Sequence, residues 1–332
     1  MADLTILMPA YNAAPYVEEA VKSLLNQTYT DFELWFLDDA STDNTLTIVT
    51  RLAANDSRIS IFPNTVNLGK LQTVNAKVKS VNSPYFTITD ADDVSHPARL
   101  EKQMAVLNSN PQLVMCGTSY AAIDEQGYYI RTVHVPEDLK RLRERSLIQS
   151  AFMGGTMVMR SVLLQDFTEL YRSYFENCME DADLACRILD KYEATNVDML
   201  LYFYRIVPTS LTRSKVTIRS LNIYKLIAHL SFERRRDGKD CLELANYAAA
   251  NDFMMKIEGD YAQDSTLLHR HQSFFYLYWG QHLLAFDAIT KALRRKPYHV
   301  KTVLSFLLIS VRIMHFYFLR SFKKVHYHAL FK

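Results

Sequence analysis

Three short clusters of acidic residues mark this chain of 332 residues, namely Asp38-Asp39, Asp90-Ala91-Asp92-Asp93 and Glu180-Asp181. Carboxylates as close as those of the second cluster repel one another, so a positive partner is expected beside them. Mn²⁺ or Mg²⁺ prefers oxygen ligands, and a bound diphosphate would supply the ligands that Asp90 and Asp92 leave open. The alternative is a solvated acidic loop that caps the next helix.

The other two acidic pairs suit different tasks. A carboxylate of Asp38 or Asp39 could accept a hydrogen bond from a base N–H or a ribose hydroxyl, whereas the alternative is helix capping. A carboxylate of Glu180 or Asp181 could act as a general base that removes a proton from a hydroxyl nucleophile. The alternative for this pair is interaction with the dipole of the helix that begins there.

The elements that position these clusters alternate between strand and helix. The apolar run Leu4 to Met8, which ends before Pro9, predicts a first strand, and the stripe from Val17 to Leu25 predicts a helix with Asn12 and Pro15 near its start. Further strands are predicted over 32–37, 59–62 and 85–89, with helices between them. This order predicts an α/β fold with a mostly parallel sheet and helices on both faces.

Three polar segments follow strands of this predicted sheet. They are Pro9-Ala10-Tyr11-Asn12, Asp38-Asp39 and Asp90 to Asp93. Ligands of such sheets bind at the carboxyl ends of the strands. The sequence therefore predicts that the three segments line one crevice.

The pattern changes beyond residue 210, where helical periodicity replaces strand alternation. We predict a catalytic domain over 1–215, a helical appendage over 216–300 and a basic apolar tail over 301–332. A helix that opens with Met179 and Glu180 and a further strand over 197–204 are predicted near the end of the first of these regions.

Composition excludes several classes of protein. About half of the residues are apolar and the net charge is only +2, so a sizeable core is expected and disorder is not. The four cysteines form no CxxC pair, and no histidine cluster at zinc spacing accompanies them. These thiols, together with an N-terminus that lacks the features of a signal peptide, predict a reduced, cytoplasmic setting.

The last stretch of the chain is strongly asymmetric in charge. Residues 291–332 contain ten Lys or Arg and no Asp or Glu, interleaved with apolar residues. This pattern predicts a peripheral surface that meets anionic lipid on the inner face of the membrane. The alternatives are a helix packed on the catalytic domain or on a second subunit of a homo-oligomer. The run 302–319 is short for a bilayer span and contains Arg312, so a helix that crosses the membrane is not favoured. Nucleic acid is not an expected partner, because no recognised binding module accompanies the positive charge.

Taken together, the motifs resemble those of the GT-A-fold glycosyltransferases of family 2 over about residues 4–212. The matching segments are Ile6 to Asn12, Leu24 to Tyr29, Phe36 to Asp43, Asn67-Leu68-Gly69-Lys70 with Asn75, Thr89 to Asp93 with Pro97, Arg99 and Leu100, and Glu180-Asp181 with Leu184 and Arg187. The fifth of these is similar to the family's DxD motif and the sixth to its ED motif.

The resemblance implies a role for each matched residue. Pro9, Tyr11 and Asp39 would hold the nucleoside, with Ala10, Asn12 and Asp38 close by. Lys70 would lie near the base or the phosphates, Asp90 would face the donor sugar or ribose, and Asp92 would bind the metal. Asp181, next to Glu180, would be the base of a single displacement with inversion.

The implied substrates are a nucleotide-diphosphate sugar, by default a UDP-sugar, and a glycan or lipid-linked acceptor. Val207 stands where family members often have a histidine, so Arg205 or Arg213 is expected to contact the diphosphate instead. Gly154-Gly155 falls where the family forms part of the acceptor floor, although a simple tight turn is the alternative. Two rival functions stay open: a sugar-phosphate nucleotidyltransferase, which would carry a glycine-rich loop after its first strand, and a non-catalytic sugar- or polymer-binding protein.

Overall fold

The apolar run at the start of the chain forms the strand around which the sheet is built. This strand, β1 (Leu4–Ala10), is buried along its whole length. The side chains of Ile6 and Met8 enter one hydrophobic core, whereas Leu7 enters a second core on the opposite face. Because neighbouring side chains of a strand point to opposite faces, this division shows that both faces of the sheet are covered.

Nine strands form one sheet in this computed structural model, which describes residues 2–176, 178–207, 216–322 and 325–331. After β1 the strands are β2 (Phe32–Asp38), β3 (Ile59–Pro63), β4 (Tyr85–Ile88), β5 (Val94–Ser95), β6 (Leu113–Ile123), β7 (Tyr129–Val133), β8 (Val158–Arg160) and β9 (Glu193–Arg205). Their order is β3-β2-β1-β4-β8-β6-β9-β5, and β7 pairs with β6.

The pairing is mixed but mostly parallel, which confirms the predicted fold class. β1 runs parallel to β2 and β4, β2 to β3, and β6 to β9. The short strand β8 is antiparallel to β4 and β6, and β5 is antiparallel to β9. The carboxyl ends of β1, β2 and β4 therefore lie side by side.

Helices cover both faces of the sheet. They are α1 (Val17–Leu25), α2 (Thr45–Ala53), α3 (Lys70–Val78), α4 (Arg99–Ser109), α5 (Leu139–Ser146) and α6 (Glu180–Lys191). Apolar residues of α1, α2 and α4 join the core that contains Ile6, and those of α3, α5 and α6 join the core that contains Leu7. Each fully buried leucine or valine of these stripes favours folding by about 1.5–3 kcal/mol.

The remaining helices form a second unit of the chain. They are α7 (Ile218–Asp237), α8 (Tyr247–Gln263), α9 (Leu267–Tyr278), α10 (His282–Arg295) and α11 (Val300–Phe322). Thr217 and Ser220 cap the start of α7 reciprocally, and Gly238, in the left-handed region with φ 82°, ends it. This unit contains the predicted helical region at the C-terminal side of the chain.

The division between the units falls close to the end of β9. The first unit comprises the chain up to Glu125, Arg131–Arg205 and Phe331, and the second comprises Gln126–Ile130 and Ile206–Leu330. The predicted boundary near residue 215 lies in 208–215, outside the described residues.

Two local expectations were wrong. β1 does not stop before Pro9 but continues through Ala10, beyond the pair of Leu7 with Ile88 that ends its ladder with β4. Asn12 does not cap α1, which begins at Val17. The Asn12 Oδ1 atom instead accepts hydrogen bonds from the backbone N–H groups of Thr42 (2.8 Å) and Asp43 (3.3 Å), because a turn-forming amide can satisfy a neighbouring loop as well as a helix end.

A buried ion triad fixes the first turn of α6. Asp183 is fully buried, and its Oδ2 accepts from the Nε atoms of Arg172 (2.9 Å) and Arg187 (3.0 Å). A guanidinium nitrogen of Arg187 also donates to the carbonyl of Leu170 at 2.5 Å. The triad therefore joins the start of α6 to the loop before it.

We expect Asp183→Asn to lower the free energy of unfolding of the first unit by about 3–5 kcal/mol, since it leaves two buried guanidinium groups without their counter-charge. The matched control is Lys191→Met, which removes the exposed 2.8 Å pair with Asp166 at the other end of α6 and should cost about 1 kcal/mol or less. Trp35 fluorescence, measured during urea unfolding in a Trp279→Phe background, reports the first unit alone. Equal losses in the two variants would contradict the structural role of the triad.

Candidate active site

The polar segments predicted to line one crevice are neighbours in the structure. Ala10 at the end of β1 pairs with Asp38 at the end of β2, and the backbone N–H of Asp39 donates to the Ala10 carbonyl at 2.8 Å. The backbone N–H of Thr89, which precedes the Asp90 cluster, donates to the Leu7 carbonyl at 2.9 Å. Adjacent parallel strands thus bring the loops after β1, β2 and β4 together.

Asp39 organises the loop before α3. Its carboxylate accepts from the side chains of Asn64 (2.8 Å) and Thr73 (2.9 Å) and from the backbone N–H groups of Leu68 (2.9 Å) and Gly69 (2.8 Å). Burial opposes ionisation, but these four hydrogen bonds together lower the pKa of Asp39. A direct bond from Asp39 to a nucleoside stays a prediction, and it would share oxygens that already hold this loop.

The loop after β1 offers surfaces of two kinds. Pro9 and Ala10 are buried, whereas Tyr11 is 51% exposed and can present its ring to a planar ligand.

Asp38, at the end of β2, is buried. Its Oδ2 accepts from the backbone N–H of Ser41 (3.2 Å), and its Oδ1 has no hydrogen-bond partner among the described residues. A buried carboxylate oxygen normally has a partner, but Asp38 is only 2% exposed, so a ligand could reach Oδ1 only if the loops around it moved.

Lys70 is the positively charged residue beside the acidic cluster that follows β4. It begins α3 directly after Gly69, and its Nζ donates to Asp90 Oδ1 at 2.5 Å. Burial alone would lower the pKa of Lys70, but the carboxylates of Asp90 and Glu180 raise it well above its usual value. The ammonium group is therefore held charged between the cluster that follows β4 and the acids that begin α6.

Asp92 lies beside Asp90 in a crowded environment. Burial and then the Asp90 charge raise the pKa of Asp92 to about 6, although Lys70 lowers it in part. A divalent cation would relieve this repulsion, so the two carboxylates fit the ligand chemistry of Mn²⁺ or Mg²⁺. No group of three His, Cys, Asp or Glu side chains in the described parts of the chain is arranged to hold a metal. A diphosphate and water would have to complete the coordination.

Asp93 points away from this surface and fastens β9 in place. It is 1% exposed, and it accepts from the Tyr202 hydroxyl and from the Arg205 backbone N–H, both at 2.7 Å. Burial and then the charges of Asp92 and Asp90 raise the pKa of Asp93 well above its usual value. The third aspartate of the cluster thus has a structural role, in holding β9, that the first two do not share.

Arg205 braces the backbone of the same loop. Its Nε donates to the Asp92 carbonyl (2.8 Å), one terminal nitrogen donates to the Glu125 carbonyl (3.2 Å), and the other pairs with Glu19 (2.5 Å). A direct contact of Arg205 with a diphosphate would require these bonds to break, because the side chain is only 2% exposed. The other residue predicted for that contact, Arg213, lies outside the described residues.

Glu180 and Asp181 begin α6 as predicted. Glu180 is 7% exposed, and burial raises its pKa to about 7; Lys70 opposes the shift, and the neighbouring Asp181 adds to it. Burial also raises the pKa of Asp181, again against the charge of Lys70. A carboxylate with a raised pKa is better matched to proton transfer near neutral pH than an ordinary one.

Gly154 and Gly155 let the backbone approach two side chains of the site closely. A Cβ atom on Gly154 would lie 2.5 Å from Asp181 Oδ2, and one on Gly155 would lie 2.1 Å from the Tyr202 hydroxyl. These separations are below van der Waals contact, so glycine is required in this short 3₁₀ turn for steric reasons. The turn is therefore the wall against which the Asp181 carboxylate rests.

The sequence predicted no role for Arg99, which matched the family only as part of the segment that follows the DxD motif. It is fully buried, and it donates to the Gly155 carbonyl (3.0 Å) and to the Thr89 hydroxyl (3.4 Å). Burial lowers its pKa to about 10, which leaves it charged at neutral pH. Arg99 thus connects the glycine turn to the end of β4 from behind, with its guanidinium 5.5 Å from the centre of the Tyr202 ring.

Three non-glycine residues beside the site adopt the left-handed backbone conformation. They are Asn12 (φ 52°), Ala40 (φ 61°) and Met179 (φ 61°), which adjoin Tyr11, Asp39 and Glu180 respectively. Such a conformation costs of order 1–3 kcal/mol for each residue and persists where surrounding contacts enforce it. Its recurrence at three neighbouring loops supports a functional site here.

Comparison with known proteins agrees with this geometry. The family model described as glycosyl transferase family 2 matches residues 5–167. The Bacillus subtilis glycosyltransferase EpsE is 32% identical over 207 residues, which cover 61% of this chain and 72% of EpsE. The teichuronic acid biosynthesis glycosyltransferase TuaG of Bacillus subtilis is 25% identical over 235 residues, which cover 69% of this chain and 90% of TuaG.

A solved structure shares the fold at lower sequence identity. S. aureus TarS 1-349 in complex with UDP-GlcNAc matches with a TM-score of 0.55 and 17% identity, over 90% of this chain and 93% of that one. This similarity shows the fold, whereas the family model and the 32% identity to EpsE over 72% of its length show the family. The chain belongs to glycosyltransferase family 2.

Proposed function

We propose that this glycosyltransferase moves a sugar from a UDP-sugar to a hydroxyl of a growing glycan or lipid-linked acceptor, with inversion at the anomeric carbon. In this proposal Asp90 and Asp92 hold Mn²⁺ or Mg²⁺, and Asp181 is the general base. The observation that carries it is the position of Lys70, which pairs with Asp90 at 2.5 Å and also experiences the charge of Glu180. This position of Lys70 supports one shared site for the predicted metal-binding acids and the predicted base.

The donor end of the proposed site lies at the loops after β1 and β2. Tyr11 would stack on the base, and Asp39 would hold the loop that carries Lys70. The Oδ1 atom of Asp38 would accept from the nucleoside after the loops around it move. Support for a uridine nucleotide comes from the structure of TarS 1-349, which is in complex with UDP-GlcNAc.

Asp90 and Asp92 would bind the metal through carboxylate oxygens, with the diphosphate as the other source of ligands. When bound, the cation supplies positive charge that stabilises the departing nucleoside diphosphate. Lys70, whose ammonium already lies on Asp90, would add a second positive charge near the leaving group.

Asp181 would accept the proton of the acceptor hydroxyl as that oxygen attacks the anomeric carbon. The new C–O bond forms while the bond from the anomeric carbon to the diphosphate oxygen breaks, and the nucleoside diphosphate leaves with the electron pair. A single displacement of this kind inverts the configuration. Burial and the contact with Gly154 hold the Asp181 carboxylate in one position for this step.

The acceptor would be a polysaccharide or a precursor of one. TuaG is named for teichuronic acid biosynthesis, and the chain covers 90% of its length. Retention of Asp90, Asp92 and Asp181 favours a working enzyme over a non-catalytic sugar-binding protein, because such a protein would have no need for the metal-binding and basic residues.

We expect Asp92→Asn to abolish the metal dependence of nucleotide binding, since it removes a charged ligand while keeping the side-chain size. Calorimetric titration with UDP and with GDP, each with and without Mn²⁺, measures this dependence. The wild-type protein should bind UDP more tightly with Mn²⁺, and the variant should show the same affinity in both conditions.

The control for this titration is Glu101→Gln, which removes an exposed carboxylate of α4 that lies outside the cluster. It should behave like the wild-type protein. Nucleotide binding by the wild-type protein that does not change with Mn²⁺ would contradict the metal assignment, and preference for GDP would contradict the uridine assignment.

We expect Asp181→Asn to bind UDP as the wild-type protein does but to release UDP from UDP-GlcNAc about 10²–10⁴-fold more slowly, because a general base contributes that much. Water serves as the acceptor in this assay, so the natural acceptor is not needed. Asp190→Asn, in the last turn of the same helix, is the control. Loss of UDP affinity in Asp181→Asn with an unchanged rate constant would instead assign Asp181 to donor binding.

We expect Gly154→Ala to slow the same reaction about 100-fold with UDP affinity unchanged, because the added methyl group would displace the Asp181 carboxylate by about 1 Å. The matched control is Gly259→Ala in α8, where an added Cβ meets no atom within 4 Å. A wild-type rate in Gly154→Ala would show that the wall does not position the base.

A further inference from the structure

Helix α11 of the second unit exposes an apolar stripe, although it turns two hydroxyl side chains inward. Thr302 and Ser305 are at most 9% exposed, whereas the stripe formed by Leu304, Leu307, Leu308, Val311 and Met314 is 45–63% exposed. These five residues recur at the spacing of a helix, so they form one continuous outer face. A surface helix in water normally has charged and polar residues on its outer face.

The inward face of α11 is fixed by contacts within its own unit. The Thr302 hydroxyl donates to the Thr266 hydroxyl at 3.3 Å, and Ile309 is fully buried in a cluster with Ala285 and Ile289 of α10. The His282 ring of α10 lies 4.0 Å from the ring of Phe316. Because this packing extends over four turns, the helix cannot rotate its apolar stripe inward without breaking it.

Positive charge accompanies the outer stripe along one edge. Lys301 and Arg312 are both exposed and eleven residues apart, which places them about three turns apart on the same side of the helix. No Asp or Glu occurs between Lys291 and the end of the chain. The surface that α11 presents is therefore apolar along its centre and positive at its edge.

We propose that α11 docks along an anionic lipid surface, with the outer stripe entering the boundary between headgroups and acyl chains. Lys301 and Arg312 would extend to the lipid phosphates from the edge of the stripe. Burial of the leucine side chains and attraction of the basic residues would both favour this position. The inference concerns the second unit and does not depend on the proposed reaction.

Charge argues against a second copy of the chain as the occupant. A symmetric pair of α11 helices would bring two basic edges close together, and the segment from Lys291 onward contains no acid to neutralise them. Like charges in such an interface are destabilising.

The packing also argues against a helix that crosses the bilayer. Val300–Phe318 is long and apolar enough to span a membrane by length and composition, within the described part of the chain. However, α9 and α10 cover one side of it, and a crossing would carry their polar residues and Arg312 into the hydrocarbon core, which is costly. An in-plane position keeps Arg312 at the headgroups.

Vesicle sedimentation of the full chain tests the proposal. Vesicles of phosphatidylcholine with added phosphatidylglycerol should bind the wild-type protein, and phosphatidylcholine alone should bind it much less. The variant Lys301→Gln with Arg312→Gln should bind the anionic vesicles roughly 30-fold more weakly, because each basic residue contributes about 5-fold. Leu304→Gln with Leu308→Gln should weaken binding by more than about 10-fold for each leucine.

The matched control is Met255→Gln with Lys256→Gln, which changes an exposed apolar and an exposed basic residue of α8. This variant should bind like the wild-type protein, and circular dichroism of all three variants should be unchanged. Equal binding to neutral and anionic vesicles would overturn the proposal. So would binding that survives the Leu304 and Leu308 substitutions, or a concentration-dependent dimer that these substitutions disrupt while vesicle binding is absent.

Discussion

Repulsion among carboxylates is the interaction on which the first unit depends. Asp90, Asp92 and Asp93 follow one strand, and Glu180 and Asp181 begin a helix nearby, so five acids share one region with Lys70 among them. Burial raises the pKa of four of these acids, Asp92, Asp93, Glu180 and Asp181, by disfavouring their charged forms. Partners of opposite charge stabilise such a group at neutral pH. Lys70 is one such partner, and the proposed divalent cation would be a second.

The framework around the acids is divided into residues that face the site and residues that hold the loops. Asp93 and Arg205 bind backbone and hydroxyl groups behind the cluster. In contrast, the Asp90 carboxylate binds Lys70, and both Asp90 and Asp92 are partly exposed to solvent. Left-handed backbone at Met179 and close approach at Gly154 further restrict where Asp181 can lie. Rigid placement of this kind suits the role of general base proposed for Asp181, since small displacements of a reacting group slow a reaction.

Much of this arrangement could be predicted because it depends on local pattern. Apolar periodicity located the strands before Asp38 and Asp90 and the helix that begins at Glu180, and parallel strands necessarily bring their carboxyl ends together. The bonds of Asp93 with Tyr202 and of Arg205 with Glu19 join residues more than 100 positions apart. They depend on where β9 enters the sheet, which periodicity does not determine, and the same holds for the buried position of Arg99.

In the second unit, the orientation of helix α11 is likewise a feature that the sequence pattern does not determine. Composition alone reveals a basic and apolar segment, but it does not reveal which side of the helix the protein covers. The structure turns Thr302 and Ser305 inward and leaves leucines outward, an arrangement that loses hydrophobic stabilisation in water. Such a surface persists in a folded protein when another apolar phase covers it. The positive edge at Lys301 and Arg312, without any acid nearby in the chain, makes an anionic lipid surface the phase that fits.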